Sequence, residues 1–189
     1  MKQPTPYLAS VVAAQHRHAP LLYALTFTTI TAVCAQTAIV IPGTPVPVTL
    51  QVFAVLLSGM VLGSRLGAVA QVQYLLAGAI GLPVFAGGGG LLHLFGPRGT
   101  GGYLLAFPIA AWLAGSLKGR LPFPLACAIG GLAGVAVIHL FGVLWYGLLM
   151  GVNPAQMLWQ GSLPFVGGDI AKLCAAVVIA GGLHKVWHR

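Results

Sequence analysis

The residues best suited to chemistry are Asp169 and Lys172, in the stretch GGDIAKL (167–173). Asp169 is the only acidic residue among the 189, and Lys172 follows it by three positions. Side chains three positions apart are neighbours on a helix, so this carboxylate and this ammonium can pair. A charged group that enters an apolar helix is costly unless it is paired, which makes such residues functional candidates. The two residues therefore predict either a polar ligand site or a purely structural ion pair.

The rest of the sequence supplies no catalytic set. A single carboxylate excludes paired-carboxylate mechanisms, and no zinc-protease or serine–histidine–aspartate pattern has a suitable context. The run GGGGLLHLFGPRGTGG (87–102) lacks the GK[ST] ending of a phosphate loop. Cys34, Cys127 and Cys174 lie in apolar runs without metal-ligand spacing, as small buried hydrophobic residues do. We predict no enzymatic activity, no catalytic residue, no metal and no cofactor.

The elements that position the two charges must be membrane helices. The chain is 58% hydrophobic and 5% charged, whereas soluble domains carry about 25% charged residues. Apolar stretches of about 20 residues, long enough to cross a hydrocarbon core, recur from Leu21 onward. We predict an all-α integral membrane protein, one domain over 1–189 with six transmembrane helices, outer capping loops and the lipid bilayer as its surroundings. The predicted spans are 21–41, 48–64, 66–86, 102–118, 122–150 and 164–187.

The basic residues predict the orientation of these spans. The net charge is +8, but the nine Lys and Arg residues are scattered, which argues against nucleic-acid binding. Seven of them fall in the termini and in the second and fourth loops, and Arg98 is the only basic residue in an outer loop. By the positive-inside rule, both termini are cytoplasmic and the protein is a multi-pass protein of the cell (inner) membrane. The seven are Lys2, Arg17, Arg65, Lys118, Arg120, Lys185 and Arg189.

Two outer segments, 41–49 and 86–102, are rich in glycine, proline and threonine. Non-helical backbone at membrane depth survives where it lines a cavity, so these segments either dip into a binding cavity or are plain solvated loops. His93, in the second segment, is a candidate ligand contact. His139, within the fifth span, is interpreted as a helix-packing residue.

Four stretches together carry a family resemblance. They closely resemble the biotin-specific substrate-binding subunit (S component, BioY) of energy-coupling-factor transporters, from about Thr26 to Ala180. The resemblance implies a six-helix membrane subunit that captures biotin outside the cell for uptake. It also implies two kinds of partner, a transmembrane coupling subunit and ATP-binding subunits. The stretches are IPGTPVPVTLQVFAVLLSGMVLG (41–63), YLLAGAIGLPVFAGGGG (74–90), FGPRGTGGYLLAF (95–107) and WQGSLPFVGGDIAKL (159–173).

The resemblance also implies a set of binding residues. Asp169 and Lys172 are implied as ligand contacts, the carboxylate for the ureido N–H groups of biotin. Lys172 or Arg98 is expected to pair with the valerate carboxylate. Tyr103 and Trp159 are expected to supply apolar or stacking surface, with 41–49 and 86–102 closing over the ligand. The family's usual GPTGGYL here reads GPRGTGGYL, which includes Arg98 and one extra residue.

The small residues of the first helix have two interpretations. Thr28–Ala32 and Thr31–Ala35 correspond to the small-residue face that the family presents to its coupling subunit. Small residues also let helices of one chain pack closely, so these residues either dock a partner or pack internally.

Three other functions are weighed against biotin capture. A pore would spread polar residues along several helices, whereas here polarity is concentrated near one side. A lipid-modifying enzyme would need acid–base groups that the sequence lacks. A subunit of the same fold that binds another vitamin is the third alternative.

Overall fold

The computed structural model describes residues 6–44, 46–91 and 100–187, and side chains from Ala19 to Val186 within those ranges. The described chain is built from α-helices, which confirms the all-α prediction. A short 3₁₀ turn at Ala86–Gly88 is added to them. The helices are α1 (Pro6–Ala35), α2 (Gln51–Leu62), α3 (Ser64–Ala79), α4 (Gly101–Ser116), α5 (Phe123–Met150), α6 (Pro154–Gly161) and α7 (Leu163–Trp187).

Within the part of the chain whose side chains are described, two helices are long and apolar enough to cross a membrane on their own. They are α5, with 28 residues, and the part of α7 from Leu163 to Val186, with 24 residues. The apolar stretches 19–35, 51–62 and 101–116 are shorter. The described chain thus has the apolar helices of a membrane protein, with unequal lengths.

The first helix ends at Ala35, six residues before the predicted end of its span. The Thr37 hydroxyl donates to the Cys34 carbonyl at 2.8 Å, which satisfies one backbone acceptor of the last turn. The β-branched Ile39 that follows is extended and pairs with Val48 in an antiparallel bridge, with N···O distances of 2.8 and 2.9 Å. Residues 36–44 and 46–50 therefore form a non-helical connection with its own backbone hydrogen bonds.

The central element of the bundle is α2. It contacts α1, α3, α4, α5 and α7, and nine of its 12 residues are buried. Helix α2 is therefore the interior helix of the bundle, and its first two residues, Gln51 and Val52, line the cavity described below.

Glycines let α2, α3 and α4 meet backbone to backbone. Gly63, with φ of 87°, makes the one-residue turn between α2 and α3. A Cβ at Gly67 would come within 2.6 Å of the Gly59 Cα. A Cβ at Gly115 would come within 2.5 Å of the Gly59 carbonyl oxygen. Only glycine permits this approach, because any side chain at these positions would overlap the neighbouring helix. The three helices are therefore stabilised by close backbone contacts.

The small-residue face of α1 is turned inward. Thr31 and Ala35 are 0% exposed, and Thr28 is buried as well. The Thr28 hydroxyl lies 2.8 Å from the Ala70 carbonyl oxygen of α3, and the Thr31 hydroxyl accepts from Gln71 at 3.3 Å. Internal packing therefore accounts for Thr28, Thr31 and Ala35, whereas Ala32 is only partly buried, and docking of a coupling subunit on this face stays a prediction.

The loop predicted at 151–164 contains the extra helix α6. Gly151 ends α5 in the left-handed region, at φ of 61°. Asn153 then caps α6, since its side chain accepts from the Gln156 N–H at 3.0 Å, and Pro154 occupies the first helical turn. The sequence NPAQ carries this signal, although the sequence interpretation did not use it.

Candidate ligand-binding site

The carboxylate of Asp169 is held between two basic side chains. The Lys172 ammonium lies 2.7 Å from Oδ1, and His139 Nε2 lies 3.0 Å from Oδ2. Asp169 is 4% exposed, so the group is removed from solvent. The predicted pairing of Asp169 with Lys172 is present, and a third residue, from α5, completes it.

The imidazole of His139 also connects to the start of α7. Its Nδ1 lies 2.8 Å from the hydroxyl of Ser162, the residue between α6 and α7. An ionised Asp169 only accepts hydrogen bonds, so Nε2 must carry a proton. In a neutral imidazole Nδ1 is then an acceptor, and the Ser162 hydroxyl donates to it. Ser162 and Asp169 together fix the orientation of the ring.

Asp169, Lys172 and His139 are among the residues that line a cavity of about 620 Å³, a volume that includes its open mouth. Pockets for small organic molecules have mostly apolar walls and a few converging polar groups, as this cavity has. The walls come from the 46–52 segment, the start of the 3₁₀ turn, and helices α4, α5 and α7. The aromatic residues among them are Phe85, Tyr103, Phe107 and Phe165.

The Tyr103 residue lines the cavity, and its hydroxyl group bonds to a neighbouring helix. The hydroxyl donates to the carbonyl of Gly161, at the end of α6. The ring lies against Gly142 of α5, where any Cβ would overlap it. Tyr103 is thus locked in place as an apolar wall.

The wall formed by the 46–52 segment carries a second hydrogen-bonded chain. Thr49 donates to the Gln51 side-chain oxygen at 2.9 Å, and Gln51 Nε2 donates to the Tyr74 hydroxyl at 2.7 Å. Tyr74 in turn donates to the Val84 carbonyl at 3.1 Å. Gln36, at the end of α1, donates to the Phe85 carbonyl at 3.3 Å. The segments at the cavity mouth are therefore fastened to one another and to the bundle.

The structure brings together three of the five predicted site residues. Asp169, Lys172 and Tyr103 line the cavity. Trp159 does not: it lies on α6 with its side chain 70% exposed. The reason is local, because α6 turns Met157 and Gly161 toward α5 and Tyr103, which leaves Trp159 on the opposite side. Arg98 lies outside the described residues.

The two predicted capping segments both contribute to the cavity. Residues 46–49 of the first and Ala86 and Thr100 of the second are lining residues. Residues 92–99, which include His93, lie outside the described part of the chain.

The sequence interpretation missed His139 and Gln51 as site residues. Both were visible as polar side chains in apolar helices, a signal of function at membrane depth. In the described ranges no three His, Cys, Asp or Glu side chains converge as a metal site would require.

A bundle of apolar helices with a loop-capped, largely apolar cavity and one buried charge cluster defines a membrane protein of the small-molecule-binding class. The chain belongs to the BioY family, whose model matches residues 7–189. The resemblance predicted from the sequence is thereby confirmed.

Three relatives illustrate the match. A protein of Pyrococcus horikoshii named "Probable biotin transporter BioY" is 45% identical over 82% of this chain and 89% of its own length. The "Biotin transporter BioY" of Thermotoga maritima is 41% identical over 77% of this chain and 85% of its own. Among solved structures, the S-component for biotin from an ECF-type ABC transporter has a TM-score of 0.82 and 28% identity. That match covers 90% of this chain and 93% of the other.

Proposed function

We propose that this chain is the biotin-specific, substrate-binding subunit of an energy-coupling-factor transporter and captures biotin for uptake. The observation that carries the proposal is the buried Asp169 carboxylate, bridged by Lys172 and His139 in a largely apolar cavity. The relatives named as biotin transporters and the biotin S-component of the same fold support this ligand. The family is one of transporters, and the chain is not an enzyme.

Biotin carries two groups that the charged cluster can bind. Its ureido ring donates N–H groups, and an ionised carboxylate can accept them while it still accepts from Lys172 and His139. The carboxylate of the valerate tail needs a cation, which is Arg98 when the ureido ring lies on Asp169 and Lys172 when the tail lies there, because Lys172 and Asp169 are 2.7 Å apart. The rings of Tyr103 and Phe165 cover the apolar parts of the ligand, and segments 41–49 and 86–102 close over it.

Equilibrium binding of radiolabelled biotin to detergent-purified protein tests the proposal. We expect saturable binding to the wild type, with unlabelled biotin competing better than biotin amide, which lacks the tail carboxylate. Lys172→Gln should bind biotin more weakly and should lose most of this preference, because the cation that pairs with the tail is gone. A folded wild-type protein that shows no saturable biotin binding would end the proposal.

Two further variants, Trp159→Ala and Arg98→Gln, serve as controls for this binding experiment. Trp159→Ala changes an exposed side chain of α6 outside the cavity, so biotin binding should stay at the wild-type level. If Lys172→Gln keeps the full preference for the tail and Arg98→Gln loses it, Arg98 is the cation. A different vitamin that displaces biotin at lower concentration than biotin itself would favour the alternative ligand.

We also propose six spans, formed by α1 to α5 and α7, with both termini cytoplasmic. Helix α2 has 12 residues and is only about 18 Å long, so irregular backbone must complete its span. Cavity-lining backbone is tolerated at that depth, and residues 46–49 line the cavity. The α2–α3 and α4–α5 turns lie at the same end of the bundle, because Lys118 of the second turn donates to the Val61 carbonyl near the first. Both turns are basic, which supports a cytoplasmic position for this end.

Cysteine labelling should confirm this topology. In a background without Cys34, Cys127 and Cys174, Arg120→Cys places an exposed thiol in the α4–α5 turn. It should react with an impermeant maleimide only after the membrane is permeabilised, because the turn is cytoplasmic. Trp159→Cys, exposed on α6, is the control that should react in intact cells. Labelling of Arg120→Cys in intact cells would contradict the orientation.

Accumulation of biotin against a gradient requires partners in this proposal. The sequence has no phosphate-loop ending, so ATP-binding subunits and a coupling subunit must supply the energy. Most of the inward face of α1 packs within the chain. Its outward face, with exposed Leu22 and Val33, is a second surface of α1 for a coupling subunit.

A further inference from the structure

A second cavity lies at the other end of the bundle. It has a volume of about 570 Å³ including its mouth. Its apolar walls come from the end of α2, the start of α5 and the last turns of α7, and its polar lining residues are Lys118 and His184. Along α7, His184 is 15 residues beyond Asp169, which corresponds to about 22 Å. This cavity is therefore separate from the proposed biotin site.

The ammonium of Lys118 is the cation of this cavity. It donates to the Val61 carbonyl at 3.1 Å and lies 5.9 Å from the centre of the Phe123 ring. The imidazole of His184 stacks on the same ring, with centroids 4.0 Å apart. One carbonyl uses one of the three N–H donors of an ammonium, so Lys118 keeps donors for a ligand.

The protein supplies no side-chain anion for this cation. Asp169 is the only acidic residue in the sequence, and it is engaged by Lys172 and His139 at the far end of the bundle. In the α4–α5 turn, burial lowers the pKa of the Lys118 ammonium, because desolvation disfavours its charged form. A counter-anion from outside the chain would offset that cost.

We infer that this cavity binds the phosphate headgroup of an anionic phospholipid from the cytoplasmic leaflet, with Lys118 as its main cationic contact. The position of this cavity at the cytoplasmic leaflet rests on the proposed membrane topology. Basic pockets between transmembrane helices on the cytoplasmic side are suited to anionic lipid headgroups. The apolar walls, among them Leu183 and Phe123, continue from the cation and accommodate the start of an acyl chain. A soluble anion would gain nothing from those walls, so the cavity fits an amphiphile better than free phosphate.

Thermal unfolding in an uncharged detergent tests the inference. The full-length protein is titrated with dioleoyl phosphatidylglycerol, with dioleoyl phosphatidylcholine, or with sodium phosphate at matched ionic strength. We expect phosphatidylglycerol to raise the Tm of the wild type more than the other two additions. Lys118→Gln keeps a donor for the Val61 carbonyl but loses the charge, so its apparent affinity for phosphatidylglycerol should fall about fivefold.

Two variants separate a specific site from general surface charge. Lys185→Gln removes the same charge from an exposed position at the same end of α7, and it should keep the lipid-dependent rise in Tm. Lys118→Arg preserves the cation and should keep most of that rise. Equal losses in Lys118→Gln and Lys185→Gln would overturn the inference, since only surface electrostatics would remain. An equal rise with sodium phosphate would overturn the lipid as ligand in favour of a free anion.

Biotin binding is measured on the same samples. Lys118→Gln should bind biotin at the wild-type level, which also shows that it is folded, because Lys118 does not line the first cavity. If the wild type gives the lipid response but binds no biotin, the proposed function fails and the lipid site stands. If it binds biotin but gives no lipid response, the lipid site fails alone.

Discussion

Replacing Asp169 with asparagine should weaken biotin binding by about 1.5–3 kcal/mol, or roughly 10- to 150-fold in Kd, the range for hydrogen bonds to charged groups. The amide is nearly the same size as the carboxylate, so the shape of the cavity is retained. What is lost is an ionised acceptor at a position that is 4% exposed. Equilibrium binding of radiolabelled biotin to the purified variant measures the effect.

The same change should lower the Tm, which allows the ligand role of Asp169 to be separated from a structural one. Asp169→Asn leaves Lys172 buried without its carboxylate, and breaking a buried ion pair costs about 3–5 kcal/mol. The double variant Asp169→Asn/Lys172→Gln removes both charges, so it should recover much of the lost Tm. It should not recover biotin binding. Wild-type affinity in Asp169→Asn, together with a lowered Tm, would show that the pair is only structural.

Replacing His139 with phenylalanine should weaken biotin binding by about 1.5 kcal/mol, or roughly tenfold. The aromatic ring fills the same space, but it cannot donate to Asp169 Oδ2, which is 3.0 Å from Nε2 in the native site. The carboxylate then has one fixed partner instead of two, and it is free to turn away from the ligand. The measurement is again the Kd for biotin, with the Tm as a check of folding.

Two further variants assign that effect to the hydrogen bond. His139→Gln carries an N–H donor at a similar reach and should keep most of the affinity. Ser162→Ala removes the hydroxyl that lies 2.8 Å from Nδ1 and should have a smaller effect, because it loosens the ring without removing its donor. Wild-type binding in His139→Phe would show that His139 serves only in helix packing, as the sequence alone suggested.

The part of the site that could be predicted from the sequence is the part set by local geometry. Asp169 and Lys172 are one helical turn apart, so any helix at 164–187 brings them together. The helix itself was predictable, because α7 starts one residue before the predicted span and ends where predicted. The family resemblance also implied these two residues as ligand contacts.

The remaining contacts depend on how distant segments pack. His139 is 30 residues from Asp169, and only the packing of α5 on α7 places its imidazole against the carboxylate. Gln51 reaches Tyr74 only because the one-residue turn at Gly63 folds α3 back beside α2. Trp159 was misplaced for a related reason. The capping box that starts α6 makes 154–161 a helix, and that helix turns the indole outward.

The hydrogen-bonded chain from Thr49 through Gln51 and Tyr74 to Val84 has a consequence for the rate at which a ligand leaves. Once the proposed capping segments have closed over a ligand, the ligand leaves when the 46–52 segment or the 84–88 segment moves aside, and either movement breaks hydrogen bonds of this chain. Each bond contributes about 1 kcal/mol, so each lowers the population of the open state about fivefold. Affinity in such a site is expressed mainly as a long residence time. In the proposed function, bound biotin would then remain in the site long enough for a slow step with the coupling subunit.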